Sequence, residues 1–387
     1  MTTERIIPFG KPWITDEDRQ AVLGVLQVSV LTHGPQGKRF EEEFGAFLGG
    51  NAHCVSVSSG MAALHLAYFQ MGIGPGDEVI VPAQTHVATA HAVEMVGARP
   101  VFADCEAATG NMAAAKLENL ITPRTKAIGL VHFLGIPCRM DEIMSVAERR
   151  GLKVIEDCAL ALGARYKGTH VGLMGDAGCF SFYPVKHITT GDGGMFVSLH
   201  QELAEKVQKA RGFGVDRNFT ERSIPGVYDV TMLGLNYRMS DINAALGRRQ
   251  LSRISELLER RRKNFTQLKN GLSKVPDLSI IDSQDEDAAS SHYCLSVVLK
   301  GPLGPLRDRV VKKLNSLGVQ TSVYYPHPVP DLQYYRQKYR NPDHGYPSAA
   351  EISQRSIALP VGPHLWADDM DYIAQRLTET LQEVGRS

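Results

Sequence analysis

The feature that most constrains this chain of 387 residues is a rhythm in its first two-thirds. Short apolar runs, four to seven residues long, alternate with helical patterns. Cys54-Val55-Ser56-Val57, Glu78-Val79-Ile80-Val81-Pro82, Pro100-Val101-Phe102-Ala103-Asp104, Thr125 to Val131 and Leu152-Lys153-Val154-Ile155-Glu156 read as strands. Phe40 to Leu48 and Met61 to Met71 carry apolar residues at helical spacing, and Gly74-Pro75-Gly76-Asp77 turns the chain. Strands that are apolar throughout are buried on both faces, so the pattern predicts a mainly parallel sheet covered by helices. Such sheets bind ligands beyond the carboxyl ends of their strands, where Ser58, Thr85, Asp157 and Ser181 fall. A chain this long exceeds one simple core. A helical pattern from Ser240 to Leu268 is expected to bridge a large domain (1–250) to a smaller α+β domain (251–387). In the latter, Leu295–Leu299 and Val319–Val323 read as strands, and Leu306–Leu317 and Asp368–Val384 as helices.

Lys186 follows Gly178-Cys179-Phe180-Ser181-Phe182-Tyr183-Pro184-Val185 and precedes His187-Ile188-Thr189-Thr190-Gly191, about thirty residues after the acid-ended strand Val154-Ile155-Glu156-Asp157. A lysine among small and hydroxyl residues, paired with an acid able to hold a pyridinium proton, is what pyridoxal phosphate chemistry requires. The lysine amine must be neutral to form a Schiff base, and burial among Phe180, Phe182 and Tyr183 would favour that form. Either residue alone is an ordinary surface residue. Together they are not.

Lys+Arg and Asp+Glu both number 42, so there is no net charge. No basic field attracts nucleic acid or an anionic membrane. The start, Met1-Thr2-Thr3-Glu4-Arg5, lacks a charged leader with an apolar core, and the reading is a cytoplasmic protein. Six cysteines without C-x-x-C spacing suggest reduced core thiols, not a disulfide framework or a zinc site, and no metal is expected.

Several segments in order resemble the DegT/DnrJ/EryC1/StrS family of sugar aminotransferases. They are Ser58-Ser59-Gly60-Met61-Ala62-Ala63, Gly74 to Pro82, Thr85-His86-Val87-Ala88-Thr89-Ala90, Gly97 to Phe102, Glu156-Asp157, the Lys186 run and Leu235-Asn236-Tyr237-Arg238-Met239-Ser240. The resemblance implies the aspartate-aminotransferase fold (fold type I), a PLP-dependent transferase with a large mainly parallel-sheet domain and a smaller α+β C-terminal domain. It implies pyridoxal 5′-phosphate on Lys186, with Asp157 as partner of the pyridine nitrogen and His86 stacked on the ring. Gly60 and Met61 at a helix start, with the Ser181 hydroxyl, would receive the phosphate. Asn236 would reach it from a neighbouring subunit, so a homodimer with shared sites is implied. Gly60 and Met61 could equally open an ordinary helix, and Asn236-Tyr237-Arg238 could be a structural turn.

The resemblance also implies a reaction: an amino group passes from L-glutamate to the ketone of a sugar. The commonest acceptor is a nucleotide-linked keto-deoxyhexose for surface polysaccharide, lipopolysaccharide or a glycosylated product. A free keto sugar acid such as 8-oxo-3-deoxy-octulosonate, or a noncatalytic regulatory role on the same fold, are the alternatives. Substrate-facing candidates are His33 in Leu31-Thr32-His33-Gly34-Pro35-Gln36, Arg217 and Arg222, Arg238, and Tyr324 and His327 in Tyr324-Tyr325-Pro326-His327, with His292-Tyr293 nearby. Met61 stands where relatives usually have Thr or Ser, His86 where an aromatic residue is common, Leu160 where His or Gln is frequent, and His187 where Asn is frequent. Lysine at 186, where a related dehydratase branch has histidine, favours transamination.

Overall fold

The computed structural model describes residues 5–216, 224, 226–339 and 345–386. Its centre is a seven-stranded sheet of β1 (His53–Val57), β2 (Glu78–Pro82), β3 (Arg99–Ala103), β4 (Thr125–Val131), β5 (Lys153–Asp157), β8 (Ala177–Ser181) and β9 (Gly194–Ser198); two short strands, β6 (Arg165–Tyr166) and β7 (Thr169–His170), lie outside it. The order is β1-β9-β8-β5-β4-β2-β3, with β9 antiparallel to both neighbours and all other pairs parallel. The expected mainly parallel sheet is therefore present. Every residue of β2 and β9 is buried. Glu78, the one acid in β2, is tied by the Thr122 hydroxyl and by Arg124.

A smaller antiparallel sheet follows, formed by β10 (Leu278–Ile281), β12 (Leu295–Leu299) and β13 (Ser356–Leu359), while β11 (Ala288–Ala289) pairs with β6. Helices Arg307–Ser316 and Ala367–Gly385 pack on it around a core that includes Val297, Leu314 and Leu377. Helix Ile254–Leu272 joins both units: Ile254 and Leu257 belong to a core with Phe40 and Phe180, whereas Phe265, Leu268 and Leu272 belong to the core of the smaller sheet.

Two expectations needed correction. The helix read over Ser240–Leu268 is two helices, Asp241–Ser252 capped by Ser240 and Ile254–Leu272. Arg253 stands between them at φ −109°, ψ 9°, and its guanidinium bonds Asp18 at 2.6 Å. Val319–Val323 forms no strand, only single bridges from Val319 to Ile7 and from Ser322 to Ala358. Those partners belong to different segments, so no ladder extends.

Candidate active site

β1, β2, β5 and β8 all end on one edge of the large sheet, and the residues following them meet there. After β1, Ser59 caps helix Gly60–Gln70, its hydroxyl accepting the Ala62 N–H at 3.1 Å. Gly60 and Met61 open the first turn, whose N–H groups have no acceptor within the helix and lie at its positive end. A Cβ on Gly60 would lie 2.8 Å from Cβ of Ser181, the last residue of β8, so only glycine lets helix start and strand end approach this closely. Gly194, paired with Ser181, is equally constrained: its Cβ would fall 2.5 Å from the Ser59 carbonyl.

After β2, the Thr85 and Thr89 hydroxyls lie 2.8 Å apart, and Thr89 Oγ1 donates to Asp157 Oδ2 at 2.8 Å. The other carboxylate oxygen of Asp157 accepts the Ala159 N–H at 3.0 Å. Thr89 was not singled out from the sequence. Its signal was present in Thr85-His86-Val87-Ala88-Thr89, where a spacing of four at a helix start stacks two hydroxyls on one face. His86 is the cap of helix Val87–Met95; its Nδ1 accepts the Ala88 N–H at 3.2 Å, which assigns the ring proton to Nε2. Dehydration and then the Lys186 charge push the His86 pKa down, against a smaller opposing pull from Asp157. The ring therefore stays neutral at ordinary pH.

Lys186 is half-buried as a residue, but its amine end is nearly dehydrated. Burial lowers its pKa to about 8, partly opposed by Asp157. The expected burial among Phe180, Phe182 and Tyr183 holds only in part. Phe180 and Phe182 lie in the core with Phe44, but Tyr183 is exposed, turned outward by a bend in which Lys186 N–H donates to its carbonyl at 2.9 Å. The ring over the amine is Tyr293, with Nζ 5.7 Å from its centroid. The Tyr293 hydroxyl lies 2.9 Å from that of Tyr324, and Gln84 Nε2 donates to the Tyr324 carbonyl at 2.7 Å. Tyr325 meets His86 edge-on at 5.6 Å. His327, two residues on, is exposed. His187 is buried with Nε2 donating to the Ser291 carbonyl at 3.1 Å, and Leu160 lies in the core, so both departures serve packing.

A second group of predicted residues gathers around a cleft of about 870 Å³ that none of the residues above lines. His33 and Arg238 face it, with Arg211 and Phe213. Segment 31–36 is pinned there: Asp241 N–H donates to the Leu31 carbonyl, Asp241 Oδ2 accepts from Gln36 N–H, and a Cβ on Gly34 would strike that carboxylate. Arg211 is committed to Glu41 and Ser56. Arg238 lies over the Phe213 ring at 4.8 Å with no partner for Nε among the described residues. Asn236 is exposed beside it, its backbone bridged to Gly212. Arg217 and Arg222 lie outside the described residues.

One cluster resembles a metal site without needing to be one. His132, Glu156 and Cys158 place their ligand atoms within 4.8 Å of one another. Glu156 already accepts from His132 Nε2 and from the N–H groups of Gly172, Met174 and Gly175 at 2.7 to 2.9 Å. It is a latch that holds the 172–175 loop to β5. All six cysteines are free, and five are buried.

A glycine-opened helix end, a dehydrated lysine and a strand-end carboxylate on one edge of a fold type I sheet define a pyridoxal-phosphate-dependent aminotransferase. A model of the DegT/DnrJ/EryC1/StrS aminotransferase family matches residues 12–378, and the chain belongs to that family. It is 36% identical over 380 residues to the spore coat polysaccharide biosynthesis protein SpsC of Bacillus subtilis, covering 97% of each chain. Among solved structures it is similar to Spr1654 of Streptococcus pneumoniae in its PLP form (29% identity, TM-score 0.92, 98% of this chain and 100% of that one). It is similar also to Helicobacter pylori PseC, an aminotransferase involved in the biosynthesis of pseudoaminic acid (27% identity, TM-score 0.91, 98% and 100%). The protein is a PLP-dependent sugar aminotransferase. Among the described residues no helix is long and apolar enough to cross a membrane.

Proposed function

We propose that Lys186 and Asp157 are the catalytic pair, with Gly60, Met61 and Ser181 receiving the cofactor phosphate and His86 lying against its ring. The cradle fits the group: Gly60 and Gly194 are held to zero side chain by close backbone approach, which leaves the helix-end N–H groups accessible to an anion. When bound, pyridoxal phosphate supplies the electron sink for the bond broken at the substrate carbon. Lys186 Nζ is the base of the site, and its pKa of about 8 makes a neutral amine accessible near neutral pH. Asp157, fixed by Thr89 and Ala159, presents a carboxylate where a ring nitrogen needs its proton held. Lys186 with its lowered pKa, on the sheet edge that carries Asp157, is the observation that carries this reading.

The overall reaction is transfer of the amino group of L-glutamate to the ketone of a nucleotide-linked keto-deoxyhexose for surface polysaccharide. The name of SpsC supports the polysaccharide destination. Arg238, with His33 at the cleft and Tyr324 and His327 near Tyr325, would meet the acceptor, since a guanidinium fork suits a diphosphate. Asn236 would act across the interface of a homodimer. Exposed Leu23, Leu26 and Val28 on one side, and Val227, Val230 and Leu233 on the other, supply apolar surface for that contact. Residues 1–250 would form the cofactor domain and 251–387 the C-terminal domain, supported by the core of the smaller sheet, to which the first 250 residues contribute only Ile7 among its buried members. Free thiols suit the cytoplasm.

The experiment is a half-reaction. Protein loaded with pyridoxamine phosphate is offered a panel of nucleotide-linked keto-hexoses and free keto sugar acids, and amino-sugar product is read by mass. Product from a nucleotide-linked ketone is expected. Product only from a free acid such as 8-oxo-3-deoxy-octulosonate would replace the acceptor assignment.

A further inference from the structure

Beside Lys186 lies a partly open pocket of about 20 Å³, room for one water-sized occupant, which neither Gly60, Met61, Ser181 nor Gly194 lines. Its wall includes Lys11, Lys186, His187, Arg261, Tyr293 and His364, and no acid. Arg261 is 6% exposed. One of its N–H groups donates to the Tyr293 carbonyl at 2.8 Å, its guanidinium lies 5.8 Å from the Tyr293 ring centroid, and its Nε has no partner among the described residues. Among the described residues no carboxylate pairs with it; Tyr293, Cys294 and Tyr324, which lie around it, are kept neutral by burial. Asp18, the acid bonded to Gln250 on the pocket wall, is committed to Arg253.

A guanidinium cannot shed its proton, so burial without a counter-charge cannot be relieved as it can for lysine or histidine. One carbonyl and one ring face satisfy a fraction of five N–H groups. Buried charges are paired, and this one is unpaired by any side chain around it. We propose that this pocket is a binding site for one halide ion, held by Arg261 beside Lys186.

The test uses the full-length protein loaded with pyridoxal phosphate and dialysed into gluconate. Chloride-35 NMR line broadening, titrated with chloride, is expected to show a saturable component that Arg261→Gln weakens at least tenfold and Arg261→Lys restores in part. Bromide-soaked crystals of the unaltered protein should show an anomalous peak beside Arg261, a result independent of whether either variant folds. If glutamate displaces the chloride and bromide competes with glutamate in turnover, the halide sits in the substrate site and the proposal is overturned. Displacement by neither glutamate nor acetate, with the saturable component intact, assigns a resident halide. Broadening that stays linear in chloride, with no bromide peak by Arg261, overturns the proposal and leaves a pocket for water.

Discussion

The lysine edge and the arginine cleft are built from neighbouring parts of one sheet but are finished to different degrees. At the lysine edge the key polar groups have internal partners: Asp157 has Thr89 and Ala159, His86 has Ala88, and Ser59 has Ala62. At the cleft Arg238 Nε has no partner among the described residues, Asn236 is exposed, and apolar side chains flank the opening. Rigid placement matters where bonds break, because a misplaced proton carrier loses rate steeply. Unfinished surface is what a second molecule completes. On the proposed dimer, one chain thus pre-builds the proton chemistry and leaves part of the binding to another copy.

The sharpest way to break the first half of that contrast is Lys186→Ala. Turnover should fall by roughly four orders of magnitude or more, as for loss of an essential nucleophile, and the residue-186 cofactor adduct should vanish from borohydride-trapped mass spectra. Residual activity within tenfold of the unaltered protein would remove the assignment. Asp157→Asn comes next. A neutral partner loses the charge-assisted hold on the ring proton, worth about 3 kcal/mol, so turnover drops roughly 100-fold. The same substitution should act oppositely on cofactor capture. The Asp157 charge raises the Lys186 pKa within its overall lowering to about 8. Capture by the apoprotein needs the neutral amine, so its rate falls as pH drops below about 8; without Asp157 the inflection moves to lower pH and capture at pH 7 quickens. A stopped-flow pH series reads both signs at once. Thr89→Val removes one hydrogen bond to a carboxylate, a cost of about 1.5 kcal/mol, and should slow turnover roughly tenfold with the glutamate KM little changed.

The lysine edge was largely legible in the sequence because its requirements are local. Apolar runs mark the strands, glycine marks the close approach at Gly60, and the acid and the lysine end adjacent strands or their loops. What escaped was set by long-range packing. The sequence marks His292-Tyr293 as pocket-facing but does not show that Tyr293 covers Lys186 from a segment more than 100 residues away, and the outward turn of Tyr183 follows from a backbone bond between residues 183 and 186. Periodicity carries neither. The break at Arg253 was hidden for the same reason, since its anchor, Asp18, lies in the first helix. For the cleft, the sequence offered motif likeness alone. His33 and Arg238 do share one opening, but Arg211, equally basic by composition, is consumed by Glu41 and Ser56.

The second half of the contrast is tested by mixing defects. If Asn236 serves the site of the other subunit, Asn236→Ala and Lys186→Ala fall in the same site of a mixed dimer. One site receives both defects and the other receives neither, so an inactive pair regains activity when co-refolded. Random assembly of equal amounts makes half the dimers mixed, each with one intact site, which sets the recovery at about a quarter of unaltered activity per site. If Asn236 acts within its own chain, each site of every mixed dimer carries one defect and no activity returns. The measurement depends on no assumption about the acceptor, because the glutamate half-reaction alone suffices as readout. It therefore separates a cleft completed by a second copy from one whose Asn236 and Arg238 serve substrate within a single chain.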